Sequence, residues 1–361
     1  MSAPLVWIVL PAVVSLAFWF LRARPGRLIF LASSLCLGLA FLAAVVPIGS
    51  LVRLGPLSFT VDTTLAFAGR RLILENGDRA LLTFLFLFCG LWFIGSHTAG
   101  ATNLFIPCAL GMVSLLVASL AVEPFLYAAL LVEMAVLLAI PMLAPPGTFF
   151  GQGVLRFLIF QTLAMPFILL AGWAMAGVEN NPSNAVLVQL STAFLGLGFA
   201  FWLAVFPFYT WIPLLAEQTF PYVSSFVLIA LPTVSLILGQ DFLAHFGWIR
   251  SSPDVFQVIG LIGLLMIVTA GVGATFQKDL ARIFGYAMIV EAGFSLLATS
   301  LSSNAGQLLF SSMFLPRMLA GGLWALSLSV LRKEAPSTSF EDIQGIARKM
   351  PFTSAGLVVS S

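Results

Sequence analysis

Long apolar runs separated by short polar breaks follow one another from end to end of the 361-residue chain. A helix that crosses a bilayer needs about 20 apolar residues. The runs Pro4–Leu21, Leu28–Val46, Leu81–Ile94, Asn103–Ala121, Pro124–Leu143, Val154–Ala176, Val186–Phe206, Tyr222–Phe246, Phe256–Phe276, Ile283–Ser300 and Gln307–Leu331 predict about eleven spans. Pro351–Ser361 reads as the first turns of another, short of a crossing by about half, so the sequence is expected to be incomplete there. The stretch "LGPLSFTVDTTLAFAGRRLIL" alternates in part and is punctuated by Gly and Pro, which predicts a short hairpin over the membrane face. The expected organisation is N-terminal spans (1–46), an extramembrane hairpin loop (47–80), a transmembrane core (81–331), and a cytoplasmic loop opening a further span (332–361).

Composition supports this all-α polytopic reading. The chain is 60% hydrophobic and 8% charged, against roughly 25% charged in a soluble domain. A net charge of +2 gives no argument for nucleic acid. Cys36, Cys89 and Cys108 lie inside apolar runs without metal-like spacing, and read as small buried hydrophobes. His97 and His245 fall in predicted loops. No cofactor, metal or catalytic site is expected, since the chain has no paired CxxC, axial-ligand histidines or strand-to-helix glycine fingerprint. No cleavable signal is expected either, because the arginines follow the first apolar run instead of preceding it.

Short-loop basic residues set orientation. Odd–even counting puts nine on one side (Arg22, Arg24, Arg27, Lys278, Arg282, Arg332, Lys333, Arg348, Lys349) and five on the other (Arg53, Arg70, Arg71, Arg79, Arg250). The first set is expected to be cytoplasmic, with the N-terminus outside, in a prokaryotic inner membrane.

Ionisable groups are rare in the spans, and each is costly in hydrocarbon. Glu133, Glu291 and Arg317 lie within spans, and Arg156 and Glu217 at span edges. A carboxylate so placed either stays neutral or finds a cation. These five are the proton-path candidates; the competing reading is a structural interhelical pair, such as Glu133 with Arg156. Pro207, Pro213, Pro221 and Pro232 are candidate helix breaks in the seventh and eighth spans. Proline frees a carbonyl, which a membrane tolerates only against protein or water. Paired interruptions suit an ion-coupled transporter; a kinked helix and a tight turn explain the same prolines.

The segment "FPFYTWIPLLAEQTFPYVSSFV" resembles the "PFHTWLPDAYEGAPTPVSAFL" block of antiporter-like membrane subunits. Such subunits occur in respiratory complex I, multisubunit cation/proton antiporters and membrane-bound hydrogenases. "FQKDLARIFGYAMIVEAGFSLLA", "STSFEDIQGIARKMPFTSA" and "GMVSLLVASLAVEPFLYAALLVEMAVL" resemble three further blocks of that family, in the same order. The resemblance implies a proton path built from a fifth-span glutamate, here Glu133, and lysines in the seventh and eighth spans. Those lysine positions hold Trp202 and Pro232; two family histidine positions hold Glu291 and Gly321. Arg156 stands at a sixth-span lysine position, and Leu214 where the family has the aspartate of "LPDA". The resemblance therefore implies the family fold with a degenerate lysine relay.

The first functional expectation is a membrane-arm subunit of an NADH:quinone oxidoreductase-like complex. Its partners would be other membrane-arm subunits, hydrophilic redox subunits and the bilayer, with quinone met only through neighbouring subunits. The alternatives are a structural spacer, a subunit of a cation/proton antiporter or membrane-bound hydrogenase, and a stand-alone transporter.

Overall fold

Apolar residues on all sides of a helix demand burial or lipid, and the fold distributes its helices on that principle. The computed structural model describes residues 2–54, 57–67, 69–147, 150–180, 185–246, 253–335 and 337–360. Arg250, counted above for orientation, and Gly55, Pro56 and Ala68 of the expected hairpin lie outside them. The chain divides into two compact units, Met1–Gly147 and Thr148–Ser361.

In the first unit a π-helical turn, Leu5–Val9, leads into α1 (Leu10–Leu21), followed by α2 (Pro25–Val45). Strands β1 (Leu51–Leu54) and β2 (Leu57–Thr60) pair antiparallel, as do β3 (Thr64–Phe67) and β4 (Arg70–Ile73). Helices α3 (Arg79–Ala99), α4 (Phe105–Ala121) and α5 (Ala128–Leu143) follow. The short β5 (Val122–Glu123) returns to β4, with Leu72 opposite Val122. Helix α4 is buried along nearly its whole length. Small residues let α1 approach it: a Cβ on Gly111 would lie 2.7 Å from Ser15 Oγ, and that hydroxyl donates to the Pro107 carbonyl at 2.8 Å. Close small-residue contacts with an interhelical hydrogen bond are the usual adhesive between membrane helices. Cys36, Cys89 and Cys108 are buried free thiols.

The second unit holds α6 (Gln152–Asn180), α7 (Ala185–Trp202), α8 (Trp211–Gln218), α9 (Pro221–His245), α10 (Pro253–Thr275), α11 (Leu280–Ser300), α12 (Asn304–Ser312), α13 (Phe314–Glu334), α14 (Ile346–Lys349) and α15 (Pro351–Ser360). Helix α9 is the core element, 83% buried over its most apolar stretch, whereas α10 is 17% buried and forms the rim. Helices α10 and α11 cross at glycines: a Cβ on Gly263 would meet the Gly293 carbonyl at 2.7 Å, and one on Gly293 the Gly263 carbonyl at 2.8 Å.

The chain breaks after Trp202. Ala204 adopts φ +49°, Val205 N–H returns to the Ala200 carbonyl at 2.8 Å, and Ala204 N–H to Phe201 at 3.2 Å. These bonds satisfy the last carbonyls of α7 in a left-handed helix end. A 3-10 turn, Phe208–Thr210, precedes α8. Pro207 is the N-cap of this turn, Pro213 lies inside the short α8, and Pro221 at the first position of α9. The expected break at Pro232 is absent. Helix α9 runs through it from Pro221 to His245, as membrane helices tolerate proline when neighbours or side chains serve the freed carbonyl. His97 lies in the last turn of α3 and His245 ends α9, so neither sits in a loop.

Among the described residues, eight helices are long and apolar enough to cross a membrane. Leu5–Leu21, Phe105–Ala121, Val186–Trp202 and Pro351–Ser360 are shorter apolar helices.

Candidate functional site

A charged group inside an apolar bundle must be paired or solvated, and the described residues of the second unit hold one buried charge. That charge is Arg317, on α13 and 5% exposed. Its Nη2 donates to the Glu291 carbonyl at 2.9 Å and to Ser295 Oγ, and its Nε lies 3.5 Å from Glu291 Oε2. Glu291 and Ser295 stand four apart on α11, hence on one face. The guanidinium thus clamps one turn of α11 from α13. The carboxylate is less enclosed than its partner, with 38% of the Glu291 side chain exposed.

Nearer the start of α11, Arg282 Nη2 meets Glu217 Oε2 at 2.8 Å, linking α11 to the end of α8. Asp279 caps α11 by accepting Arg282 N–H at 3.0 Å, and its second oxygen accepts Thr338 Oγ1–H at 2.7 Å. Arg332, near the end of α13, donates to the Thr219 carbonyl beside the break between α8 and α9. The Glu217–Arg282 pair is about one-third exposed on both sides, and such pairs contribute roughly 0–1 kcal/mol. Glu217→Gln is therefore expected to change unfolding free energy by less than about 1 kcal/mol, as read from denaturant titration of the full chain in detergent.

The positions singled out by the sequence are filled by packing. Trp202 is 2% exposed, its ring edge-on to Phe199 with centroids 5.5 Å apart, and its carbonyl accepts Gln161 Nε2–H at 3.2 Å. A Cβ on Gly321 would lie 2.7 Å from Ile229 Cδ1, so α13 packs closely on α9 there. Arg156, on α6, is exposed. Glu133 belongs to the first unit, on α5, half-buried with its Oε2 shielded from solvent. The structure brings together Glu291 with Arg317, and Glu217 with Arg282. Among the described residues, buried polar atoms without a hydrogen-bond partner include Gln161 Oε1, Trp211 Nε1, Thr233 Oγ1, Trp324 Nε1 and Ser329 Oγ. Each costs about 1–3 kcal/mol unless water reaches it. No group of three or more His, Cys, Asp or Glu among the described residues could hold a metal ion.

Ser295, Arg282, Arg332 and Asp279 were missed as site residues by the sequence reading. "EAGFS" carried a usable signal for Ser295, four residues after Glu291 on a helix. "KDLAR" carried one for the Asp279 cap. The reach of Arg332 across 113 residues to Thr219 had no local signal.

Residues 157–361, more than half of the chain, match the family model for the transmembrane region of NADH:quinone oxidoreductase and Mrp antiporter subunits. The chain belongs to this family. It is 27% identical over 246 residues to NADH-quinone oxidoreductase subunit N of Desulforudis audaxviator, covering 63% of this chain and 48% of that protein. It is 24% identical over 191 residues to NADH-quinone oxidoreductase subunit N 2 of Solidesulfovibrio magneticus, covering 52% and 39%. The chain thus spans less than half the length of these relatives. Among solved structures, a subunit of the archaeal membrane-bound sulfane sulfur reductase superimposes with TM-score 0.75 at 15% identity, covering 100% of this chain and 77% of that one. A subunit of the Mrp complex from Dietzia sp. gives 0.73 at 14% identity, covering 97% and 39%. A chain of Thermus thermophilus respiratory complex I gives 0.66 at 19%, covering 99% and 77%. These likenesses establish an antiporter-like membrane-subunit fold.

Proposed function

We propose that this chain is a mainly architectural membrane-arm subunit of an NADH:quinone oxidoreductase-like complex, with weak or absent proton translocation of its own. The observation that carries the reading is Trp202. At the position where the family resemblance implies a relay lysine, a non-titratable ring is packed against Phe199 at 2% exposure. A proton relay needs side chains whose charge can change, within reach of one another or of bridging water. Trp202, Pro232 and Gly321 supply none. Arg317 and Arg282 hold helices together around Glu291 and Glu217, which suits a load-bearing bundle.

On this reading Leu5–Leu21, Phe105–Ala121 and Val186–Trp202 cross the bilayer with the eight longer helices, giving about eleven crossings. The N-terminus lies outside a prokaryotic inner membrane. The partners are other membrane-arm subunits and hydrophilic redox subunits, which carry any flavin or iron–sulfur chemistry; quinone is met only through them. Membership of a cation/proton antiporter or membrane-bound hydrogenase is the alternative assembly.

A second reading, a conducting subunit, is favoured by the buried polar atoms of Gln161, Trp211, Thr233, Trp324 and Ser329. Water serving them would hydrate the second unit around Glu291 and Arg317, with Glu217 as a further titratable group there.

Purification of the chain from its native membrane in mild detergent tests the assembly. Co-elution with hydrophilic flavin- or iron–sulfur-bearing chains is expected. Elution of the chain alone contradicts it.

A further inference from the structure

Three helix ends of the second unit converge on a polar cavity of about 400 Å³. The end of α8 brings Glu217, the start of α11 brings Asp279 and Arg282, and the end of α13 brings Arg332. Gln277, Lys278 and the Ser337–Ser339 segment complete the lining. The cavity lies at the ends of α11 and α13, both of which belong to candidate membrane spans. The segment 337–340 is pinned there by Leu280 N–H on the Thr338 carbonyl at 3.0 Å and Phe340 N–H on the Lys278 carbonyl at 2.9 Å.

The cavity's polar groups are unevenly committed. Glu217 is held by Arg282, and Asp279 by Arg282 N–H and Thr338. Ser337 and Ser339 hydroxyls both donate to Asp342. What remains is cationic. Arg282 Nε is buried without an acceptor among the described residues. Arg332 uses one Nη on Thr219, leaving the rest of its fork, and the Lys278 side chain is exposed at the rim. Three cations face two carboxylates, so the cavity asks for an anion with several oxygens, which an arginine fork matches well.

Its surroundings select the source of that anion. Before Lys278, α10 exposes Val268 and Val272 at 52% and 55%, and Phe276, in the turn that follows the helix, is 78% exposed, which gives an apolar approach to the cationic rim. Basic pockets between membrane helices at the interface are sites for anionic headgroups. We infer that this cavity binds the phosphodiester headgroup of an anionic phospholipid, through Lys278, Arg282 and Arg332, with its acyl chains along Val272 and Phe276. The site is independent of whether the subunit conducts protons.

Native mass spectrometry of the full chain in detergent tests it, with phosphatidylglycerol, phosphatidylcholine and inorganic phosphate as separate titrants. One phosphatidylglycerol should be retained in preference to phosphatidylcholine. Lys278→Gln and Arg332→Gln should each weaken its retention about fivefold, and the double variant about 25-fold. Because Arg332 also serves Thr219, Lys278→Gln alone is the deciding variant, with an unchanged unfolding transition as the control. Equal retention of the two lipids, or unchanged affinity in folded Lys278→Gln, overturns the inference. Binding of inorganic phosphate that is lost in the variants, without lipid preference, assigns the cavity to free phosphate and overturns the lipid assignment.

Discussion

Glu291→Leu in the full chain should lower unfolding free energy by about 3 kcal/mol, and adding Arg317→Met should restore most of the loss. The reversal follows from the asymmetry of the pair. Arg317 is 5% exposed, and among the described residues Glu291 is the carboxylate within 4 Å of it. Removing only the carboxylate leaves a buried cation with neutral acceptors, the Glu291 carbonyl and Ser295 Oγ. Breaking a buried pair from one side costs about 3–5 kcal/mol, while replacing both members by apolar groups is often neutral. The partial exposure of Glu291 puts the expected loss at the lower end of that range. Arg317→Met alone leaves a carboxylate that is already 38% exposed, and should cost less than Glu291→Leu. Denaturant titrations of the four proteins in one detergent supply the cycle. A double variant less stable than Glu291→Leu would show that Arg317 stabilises mainly through Ser295 and the α11 backbone.

The second large effect is expected at Gly285, where α11 passes α8. A Cβ there would lie 2.7 Å from Pro213 Cα, 3.0 Å from Pro213 N and 3.2 Å from the Ile212 carbonyl. All three neighbours are backbone, so no rotamer change relieves the overlap and the helices must separate. Phe284, whose ring meets Trp324 edge-on at 5.3 Å, and the Glu217–Arg282 pair sit within one turn and would shift with them. Gly285→Ala should cost about 2 kcal/mol, within the usual range for overpacking. Gly271, on the outer helix α10, has nothing within 4 Å of its Cβ position. Gly271→Ala should stabilise by up to about 1 kcal/mol through helix propensity. Opposite signs for one substitution at two helical glycines would confirm that α11 crosses α8 at backbone contact. Equal effects would refute it.

Much of this architecture was legible in the sequence, and the limits have physical causes. The apolar runs located the helices because bilayer thickness fixes their length. Helix α7 ends at Trp202, five residues before Pro207, and the turn closes through Ala204 in a left-handed conformation that no local residue type announced, while Pro213 lies within α8. Pro232 misled, because a buried helix such as α9 absorbs a proline that would break a solvated one. Glu291 and Arg317 were read as charges in a membrane, but their pairing depends on α13 packing against α11, which periodicity alone does not determine. Glu217 was read as an isolated acid at a break, and its partner Arg282 lies 65 positions further on. Trp202 was visible as a substitution in a family pattern. Its consequence became concrete only with its enclosure by Phe199 and Gln161.

The central claim, that this subunit carries structure in place of a proton current, is tested most directly by stoichiometry. The measurement is the number of protons moved per electron by the reconstituted complex, with the native chain and with Glu133→Gln. Glu133 occupies the glutamate position that the family resemblance assigns to the proton path, so a conducting subunit should stall without it. The account predicts an unchanged ratio in a fully assembled complex. A fall equivalent to one whole proton for this subunit, with assembly intact, would contradict it and show that Glu133 still feeds a working path.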